Sequence, residues 1–534
     1  MRLIIKDYLL QLKEKDELDL LLCDLLLQMG YTIQNRPKIG NRQYGVDIRA
    51  ENRREMLLCV VKQGDLTRKV WDSDPNAVRQ SIDEIIDCYL NMNYSPKSKK
   101  RLTIAVITNG MMDEAVRPNW EGYVKNHSFW NGNNIDIVFW NIDVITEKVQ
   151  TNLLNEYIFD KSMQSLLRRA LYYTEEVDYR KDYYENLIDR FIGRIDSNTS
   201  KIIKRKVLSG MLLASQMIAQ SAAEYGIYKI GIMVTEYSLI RIWKYLLENK
   251  LLGKKQAFVL LSDYLHKYEK WNDLYHQSIK DCFDDKSRLY IIDPIEQRIK
   301  IYEVLGYLTS YAYYLSDKSI INENYRIILT KIMNTITSIF NNCPQVYYPA
   351  YDNDIGTLSM IYRLLLDQGR ENDLHYILKL QCYTLYQLYS FEKKYPSPID
   401  SFEDAVYIEY GLPAEKYEVS GFWGTMLCWI ALLDYEDVYN LICKFVTTDL
   451  NAVSKCIWIP DSVEEIVLYD KNAMQKSGLG YAINDFVDYK RFKEQLMIVL
   501  KKYTESKYSY EEYSFKSLEF IVSRYYGYIV RVMR

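Results

Sequence analysis

Two side chains in the stretch Tyr44–Lys69, YGVDIRAENRREMLLCVVKQGDLTRK, have the types and spacing to do chemistry. Asp47 follows Gly45 closely, and Lys62 ends an apolar run that starts at Met56. An ammonium at the end of a hydrophobic strand is costly unless an opposite charge compensates it. A carboxylate on the neighbouring strand does that. A carboxylate with a lysine is also the core of a metal-assisted hydrolytic site. The same pair is equally compatible with an ordinary ion pair at a sheet edge. The charge around it is local: Arg36, Lys38, Arg42, Arg49, Arg53, Arg54, Lys62, Arg68 and Lys69 stand against Asp47, Glu51, Glu55 and Asp65. Such a surplus of cations suits phosphate contacts, which give affinity without sequence preference. A solvated turn with a chance excess of charge would look the same.

The elements that must position these residues follow from periodicity. Leu9–Met29 reads as a helix, with Gly30 as its stop. Tyr31–Arg36 reads as a short strand and Pro37–Tyr44 as a polar turn. Val46–Ala50 and Met56–Gln63 are two adjacent strands joined by Glu51–Glu55. Asp74-Pro75 predicts a helix start, and Val78, Ile82, Ile85, Ile86 and Tyr89 give a buried face to a helix from Ala77 to about Asn91. Leu102–Thr108 is a continuous apolar run of the kind found in sheets covered on both faces, and Ile135–Trp140 reads as another buried strand. A mixed segment with Trp120 and Tyr123 separates them, and Asp143 opens a helix toward Tyr157. The expectation is a small mixed sheet flanked by helices, residues 1–158.

From about Lys161 onward helical patterns dominate, as in Met163–Tyr173, Ile202–Tyr225 and Asp373–Tyr389. Residues 159–534 are therefore expected to form a large all-α region, with a subdomain break near 342–351 or 394–400. No fixed-period repeat stands out, though stacked helical hairpins of solenoid type need share only their apolar spacing. No Gly-rich phosphate loop or nucleophile elbow occurs there. An interaction or oligomerisation role is expected for it.

Composition bounds the function classes. The 534 residues carry 68 Lys and Arg against 71 Asp and Glu, a net charge of −3, so a generally basic nucleic-acid binder is excluded and any such surface is local. The nine cysteines form no Cys-x-x-Cys pair and the four histidines lack metal-ligand spacing. That argues against structural zinc and fits reduced thiols in a cytoplasm. Charged residues interrupt the first apolar segment, so no signal peptide is expected. No uncharged stretch reads as a membrane span, since Asn, Gln and Pro break Ile332–Tyr351. The 50 tyrosines suit helix–helix layers, and a codon bias would explain them too.

Three segments carry a resemblance: Leu18-Asp19 with Leu25 through Tyr31, then Gly45-Val46-Asp47, then Val60-Val61-Lys62-Gln63-Gly64-Asp65. Together they resemble the PD-(D/E)XK restriction-endonuclease-like superfamily, in particular its Mrr-like and anti-phage effector branches, over roughly residues 10–145. The resemblance implies a nuclease using Mg²⁺ or Mn²⁺, with DNA as the expected substrate. It implies Asp47 as metal carboxylate, Lys62 as catalytic lysine and Asp19 as the first-helix acid, with Glu17 a less well-spaced substitute. Nucleic-acid contacts are expected from Arg36, Lys38, Arg42, Arg49, Arg68 and Lys69.

One position departs from the pattern: Val60 stands where the family has Glu or Gln. Gln63 does not replace it, because side chains alternate along a strand. A carboxylate recruited from the following helix is the expected substitute, Glu84 or else Asp83, as a metal ligand. The family also implies a defence effector that forms a homo-oligomer or works with a partner such as an ATPase, since no motor motif lies in this chain. A catalytically inactive nucleic-acid-binding module and a helical scaffold with a docking sheet remain as alternatives.

Overall fold

The computed structural model describes residues 2–35, 44–74, 76–94, 100–154, 159–176, 179–196, 199–251, 255–283, 293–320, 322–459, 479–483, 488–505 and 517–526. The chain divides into two compact units, Met1–Val234 and Thr235–Arg534.

The first unit is built on a six-stranded mixed sheet. Its strands are β1 (Thr32–Asn35), β2 (Ile48–Glu51), β3 (Glu55–Lys62), β4 (Arg101–Thr108), β5 (Phe129–Trp130) and β6 (Asn133–Trp140), in the order β1-β2-β3-β4-β6-β5. The first three form an antiparallel meander, with Ile48 opposite Cys59 and Ala50 opposite Leu57. Strand β4 then runs parallel to β3, with Val60 beside Val106, and β6 runs parallel to β4. A parallel pair needs a crossover. Helix α3 (Val78–Glu84) supplies it, continuing through a π-helical turn, Ile85–Tyr89, into α4 (Leu90–Asn93).

Strand β3 is central because its apolar residues are buried on both faces, as its unbroken run predicts. Met56, Leu58 and Val60 pack with Ile104 and Val106 of β4 against Val78, Ile82 and Ile85, with Trp71 and Trp120 closing the cluster. By alternation Leu57, Cys59 and Val61 serve the other face. There burial, with Cys23 and Asp47 as neighbours, pushes the Cys59 thiol well up.

The first helix differs from expectation. It is two helices, α1 (Arg2–Gln11) and α2 (Asp19–Gln28), separated by a π-helical turn at Glu14–Leu18. The run of charges from Lys13 to Asp19 breaks the apolar stripe, and Lys13 is extended, with φ −72° and ψ 154°. Trp120 and Tyr123 belong to α5 (Arg117–Asn126), and α6 (Ile142–Asn152) follows β6. The unit also runs past residue 158. Helices α7 (Lys161–Tyr172), α8 (Asp182–Ile192) and α9 (Lys201–Glu224) belong to it, and Gln28 of α2 donates to Ser209 of α9 at 3.1 Å.

The second unit is mainly helical, as its sequence predicts. Its tyrosines fill helix–helix layers: Tyr264, Tyr268, Tyr311, Tyr314, Tyr362 and Tyr439 are fully buried. Hydroxyls find partners where they can, as when Tyr302 donates to the Val346 carbonyl at 2.7 Å. The two expected breaks pair with each other, because Asp352 donates its N–H to Ser397 and Ser397 donates to Ala350, both at 2.8 Å. A small sheet interrupts the helices: β7 (Val419–Ser420), β8 (Ser454–Ile459) and β9 (Leu479–Ile483). The expectation of helices alone missed it because β8 is a short apolar run, which periodicity does not separate from a buried helix. Among the described residues no helix is long and apolar enough to cross a membrane.

Candidate active site at the end of the central sheet

Asp47 stands just before β2, where backbone geometry allows only a narrow choice of residues. Gly45 has φ +78°, and a Cβ there would lie 2.1 Å from the Ser81 carbonyl oxygen of α3. Only glycine fits both conditions. The chain therefore presses against α3 and delivers Asp47 beside the end of β3. Its backbone N–H donates to the Cys59 carbonyl at 2.9 Å, and its Oδ2 accepts from the Val61 N–H at 2.8 Å.

Burial pushes the Asp47 carboxyl up to about 6, against the lowering effects of the Val61 hydrogen bond and the Lys62 charge. Glu14 and Asp19 push it the same way as burial, by like-charge repulsion. Four charged groups from three segments are therefore electrostatically coupled. Asp47 comes from the β2 entrance and Lys62 from the end of β3. Glu14 and Asp19 come from the α1–α2 junction.

Lys62 is mostly covered, its side chain 16% exposed, and its Nζ lies 3.9 Å from Glu14 Oε1. That is an ion pair rather than a hydrogen bond. Asp19, the first residue of α2, is buried and accepts from the Leu20 N–H at 2.7 Å. Its negative charge at a helix N-terminus is favourable. Glu17 is used locally, accepting from the Lys13 N–H at 2.9 Å across the π-helical turn.

The structure does not bring Glu84 to this cluster. Helix α3 packs through Val78, Ile82 and Ile85 onto the sheet face that carries Val60, which leaves Glu84 exposed to solvent. Asp83 is engaged elsewhere, accepting from the Tyr123 hydroxyl at 2.6 Å. The acid that the structure brings beside Lys62 is Glu14 of the α1–α2 junction, not Glu84 of α3. Val60 itself is fully buried in the apolar cluster.

Of the expected nucleic-acid contacts, Arg49 is tied into a network. It donates to Glu51 at 2.7 Å and to the Tyr89 hydroxyl at 3.4 Å, while Lys100 donates to Glu51 at 2.8 Å. Burial alone would raise Glu51, yet the bonds from Lys100 and Arg49 hold it below the ordinary carboxylate value. Arg68 and Lys69 are exposed, with Lys69 3.6 Å from Asp74. Arg36, Lys38 and Arg42 lie outside the described residues. A broad open depression lined by Glu51, Arg53, Arg54 and Lys100 sits at the opposite, hairpin end of β2 and β3. It belongs to a different place from Asp47 and Lys62.

Among the described residues no group of three His, Cys, Asp or Glu side chains stands close enough to hold a metal ion. The donors present at the Asp47 end are carboxylate oxygens. Carboxylate oxygen is the donor type that Mg²⁺ takes, and these donors form no closed cage. Sequence reasoning missed Glu14 because it lay inside a predicted continuous helix. The charge run from Lys13 to Asp19 was the available signal. No protein-family model matches this chain, and comparison with curated proteins and with solved structures finds no match.

Proposed function

We propose that the first unit is a metal-dependent nuclease of the restriction-endonuclease-like kind, cutting nucleic acid, with DNA as the expected substrate. One observation carries the reading: Asp47, Lys62, Asp19 and Glu14, far apart in sequence, are coupled around one end of the sheet, with Asp47 raised to about 6. The meander β1–β3 followed by a crossover to a parallel β4 supports the fold assignment. Asp47 and Asp19 would hold Mg²⁺ or Mn²⁺, which supplies Lewis acidity and an acidified water when bound. Lys62 places a positive charge where negative charge builds on the phosphate, and its burial makes that charge act at higher strength than in water. Arg68 and Lys69 add exposed cations for phosphate positioning. The second, helical unit would sense a trigger or build an oligomer, as in a cytoplasmic defence effector working alone or with a partner ATPase.

A second reading has its own support. Val60 fills an apolar cluster, and among the described residues no third ligand closes a metal cage. Those facts favour a domain that binds nucleic acid without cutting it. The deciding experiment is degradation of plasmid and single-stranded DNA by the full chain in Mg²⁺, Mn²⁺ or EDTA, beside Asp47→Asn and Lys62→Ala. Metal-dependent cutting lost in both variants is the expected result. Cutting at the wild-type rate by either variant would refute the site. Salt-sensitive DNA binding without cutting would select the second reading.

A further inference from the structure

Glu14 and Lys62 sit on segments that do not touch in sequence, and an ion pair as long as 3.9 Å does little to hold them together. Something else must fix the α1–α2 junction against the end of β3. Asn109, the residue after β4, is 1% exposed and makes that connection with one side chain. Its Oδ1 accepts from the Gly64 N–H at 2.7 Å. Its Nδ2 donates to the Leu9 and Leu12 carbonyls, both at 2.8 Å.

The amide orientation is fixed by these partners, because an N–H only donates and a carbonyl only accepts. Leu9 lies in the last turn of α1 and Leu12 just after it, so the amide caps the end of the helix beside the Leu12 N–H, which donates to the Leu9 carbonyl at 3.3 Å. The bonds land two residues after Lys62 and two residues before Glu14. The neighbouring backbone allows little slack: a Cβ on Gly110 would lie 2.4 Å from the Gly64 carbonyl carbon. Met111 donates its N–H to Asp65 Oδ1 at 2.7 Å, and Leu66 donates to the Met111 carbonyl at 2.8 Å. The loop after β4 is thus a template against which the chain after Lys62 is laid.

We infer that Asn109 is the positioning residue of this site, holding the Glu14-bearing turn against Lys62 through a three-way amide clamp. The inference rests on the nuclease reading for its consequence, and on geometry alone for its existence. A hydrophobic residue of similar size would remove the bonds to the Gly64 N–H and to the Leu9 and Leu12 carbonyls. An aspartate would keep the Gly64 bond and repel the carbonyls.

The test uses the full chain and Asn109→Ala and Asn109→Asp. Zero-length carbodiimide coupling joins a carboxylate and an amine only when they can meet, and mass spectrometry counts the Glu14–Lys62 link. The Lys100–Glu51 pair, 2.8 Å apart at the other end of the sheet, is the internal control. The expected result is a Glu14–Lys62 link reduced at least tenfold in both variants with the Lys100–Glu51 link unchanged. On a cleavable DNA, kcat should fall at least tenfold with KM within twofold of wild type. An undiminished Glu14–Lys62 link would overturn the inference whatever the nuclease result. If Asn109→Ala loses both links through unfolding, Asn109→Asp decides, since it keeps the volume and the Gly64 bond. Absence of cutting by the wild-type chain would refute the nuclease reading and leave the link measurement to decide the clamp.

Discussion

Asp47→Asn should make the protein more stable at alkaline pH while removing activity. Folding raises this carboxyl from its ordinary 3.8 to about 6, mainly by burial. The folded chain therefore holds the proton more tightly than the unfolded one. The stability of the neutral form is fully present below 3.8 and is lost as pH rises through about 6. At pH 8 the ionised carboxylate costs about 3 kcal/mol if the whole shift is counted at 1.36 kcal/mol per pH unit. Asp47 is part-exposed rather than fully buried, and water screening brings the expected gain to about 1–3 kcal/mol. Asparagine keeps an oxygen to accept from the Val61 N–H and carries no charge to desolvate.

A chain of two units need not unfold in one step, so a global midpoint is the wrong observable. Hydrogen exchange of β3 peptides, read by mass spectrometry in EDTA, isolates the local opening free energy. At pH 8 protection of β3 in Asp47→Asn should rise about fivefold to a hundredfold. At pH 4 the two proteins should differ by less than about 1 kcal/mol, because Asp47 is then neutral in the folded chain. Equal or lower protection of the variant at pH 8 would refute the claim that the fold strains this carboxylate.

Three further outcomes are expected. Val60→Glu, which introduces the acid that the proposed nuclease pattern carries there, should destabilise the first unit by several kcal/mol and gain no activity, because position 60 lies in the apolar cluster with Ile82; β3 exchange and the cutting assay read both. Gly45→Ala should cost more than about 1 kcal/mol, since it adds strain at φ +78° to a collision with the Ser81 carbonyl, and loss of β3 protection measures it. In the second unit, Arg524→Met should cost about 3–5 kcal/mol, because it leaves Glu236, fully buried, without its cation; reduced protection of the helix Pro294–Ser319 against exchange would show it.

Where the sequence was legible, it was legible through strong physical constraints. Strand β3 was readable because six apolar residues between two charges, Glu55 and Lys62, admit little else, and β4 was readable from a similar apolar run. Asp47 and Lys62 were found because a charge beside an apolar strand costs energy and must be explained. The π-helical turn at Glu14–Leu18 was missed because the leucines on both sides continue a helical pattern across it. Glu84 was named by sequence neighbourhood, which cannot tell which face of the sheet a crossover helix covers. Asn109 carried no signal at all: an asparagine before a glycine reads as a turn, and its partners are 45 and about 100 residues away. The small sheet of the second unit was hidden because β8 is short and apolar, so length alone could not separate it from a buried helix.

Valine at position 60 fits the packing and the charge that the fold shows. Glu14 pairs with the Lys62 ammonium, and burial, with like-charge repulsion from Glu14 and Asp19, already pushes the Asp47 carboxyl up. A fourth carboxylate on β3 would raise the cost of ionising all of them, since like charges in a shared low-dielectric space repel strongly. It would also have to displace an apolar side chain from the packing between β3 and α3. Bringing an acid in from the α1–α2 junction avoids that second cost, because the junction is a turn and Glu14 remains one-third exposed. The acid then depends on whatever holds that turn in place. The Asn109 amide meets that need, and it ties the site's geometry to the end of a strand that carries none of its charges.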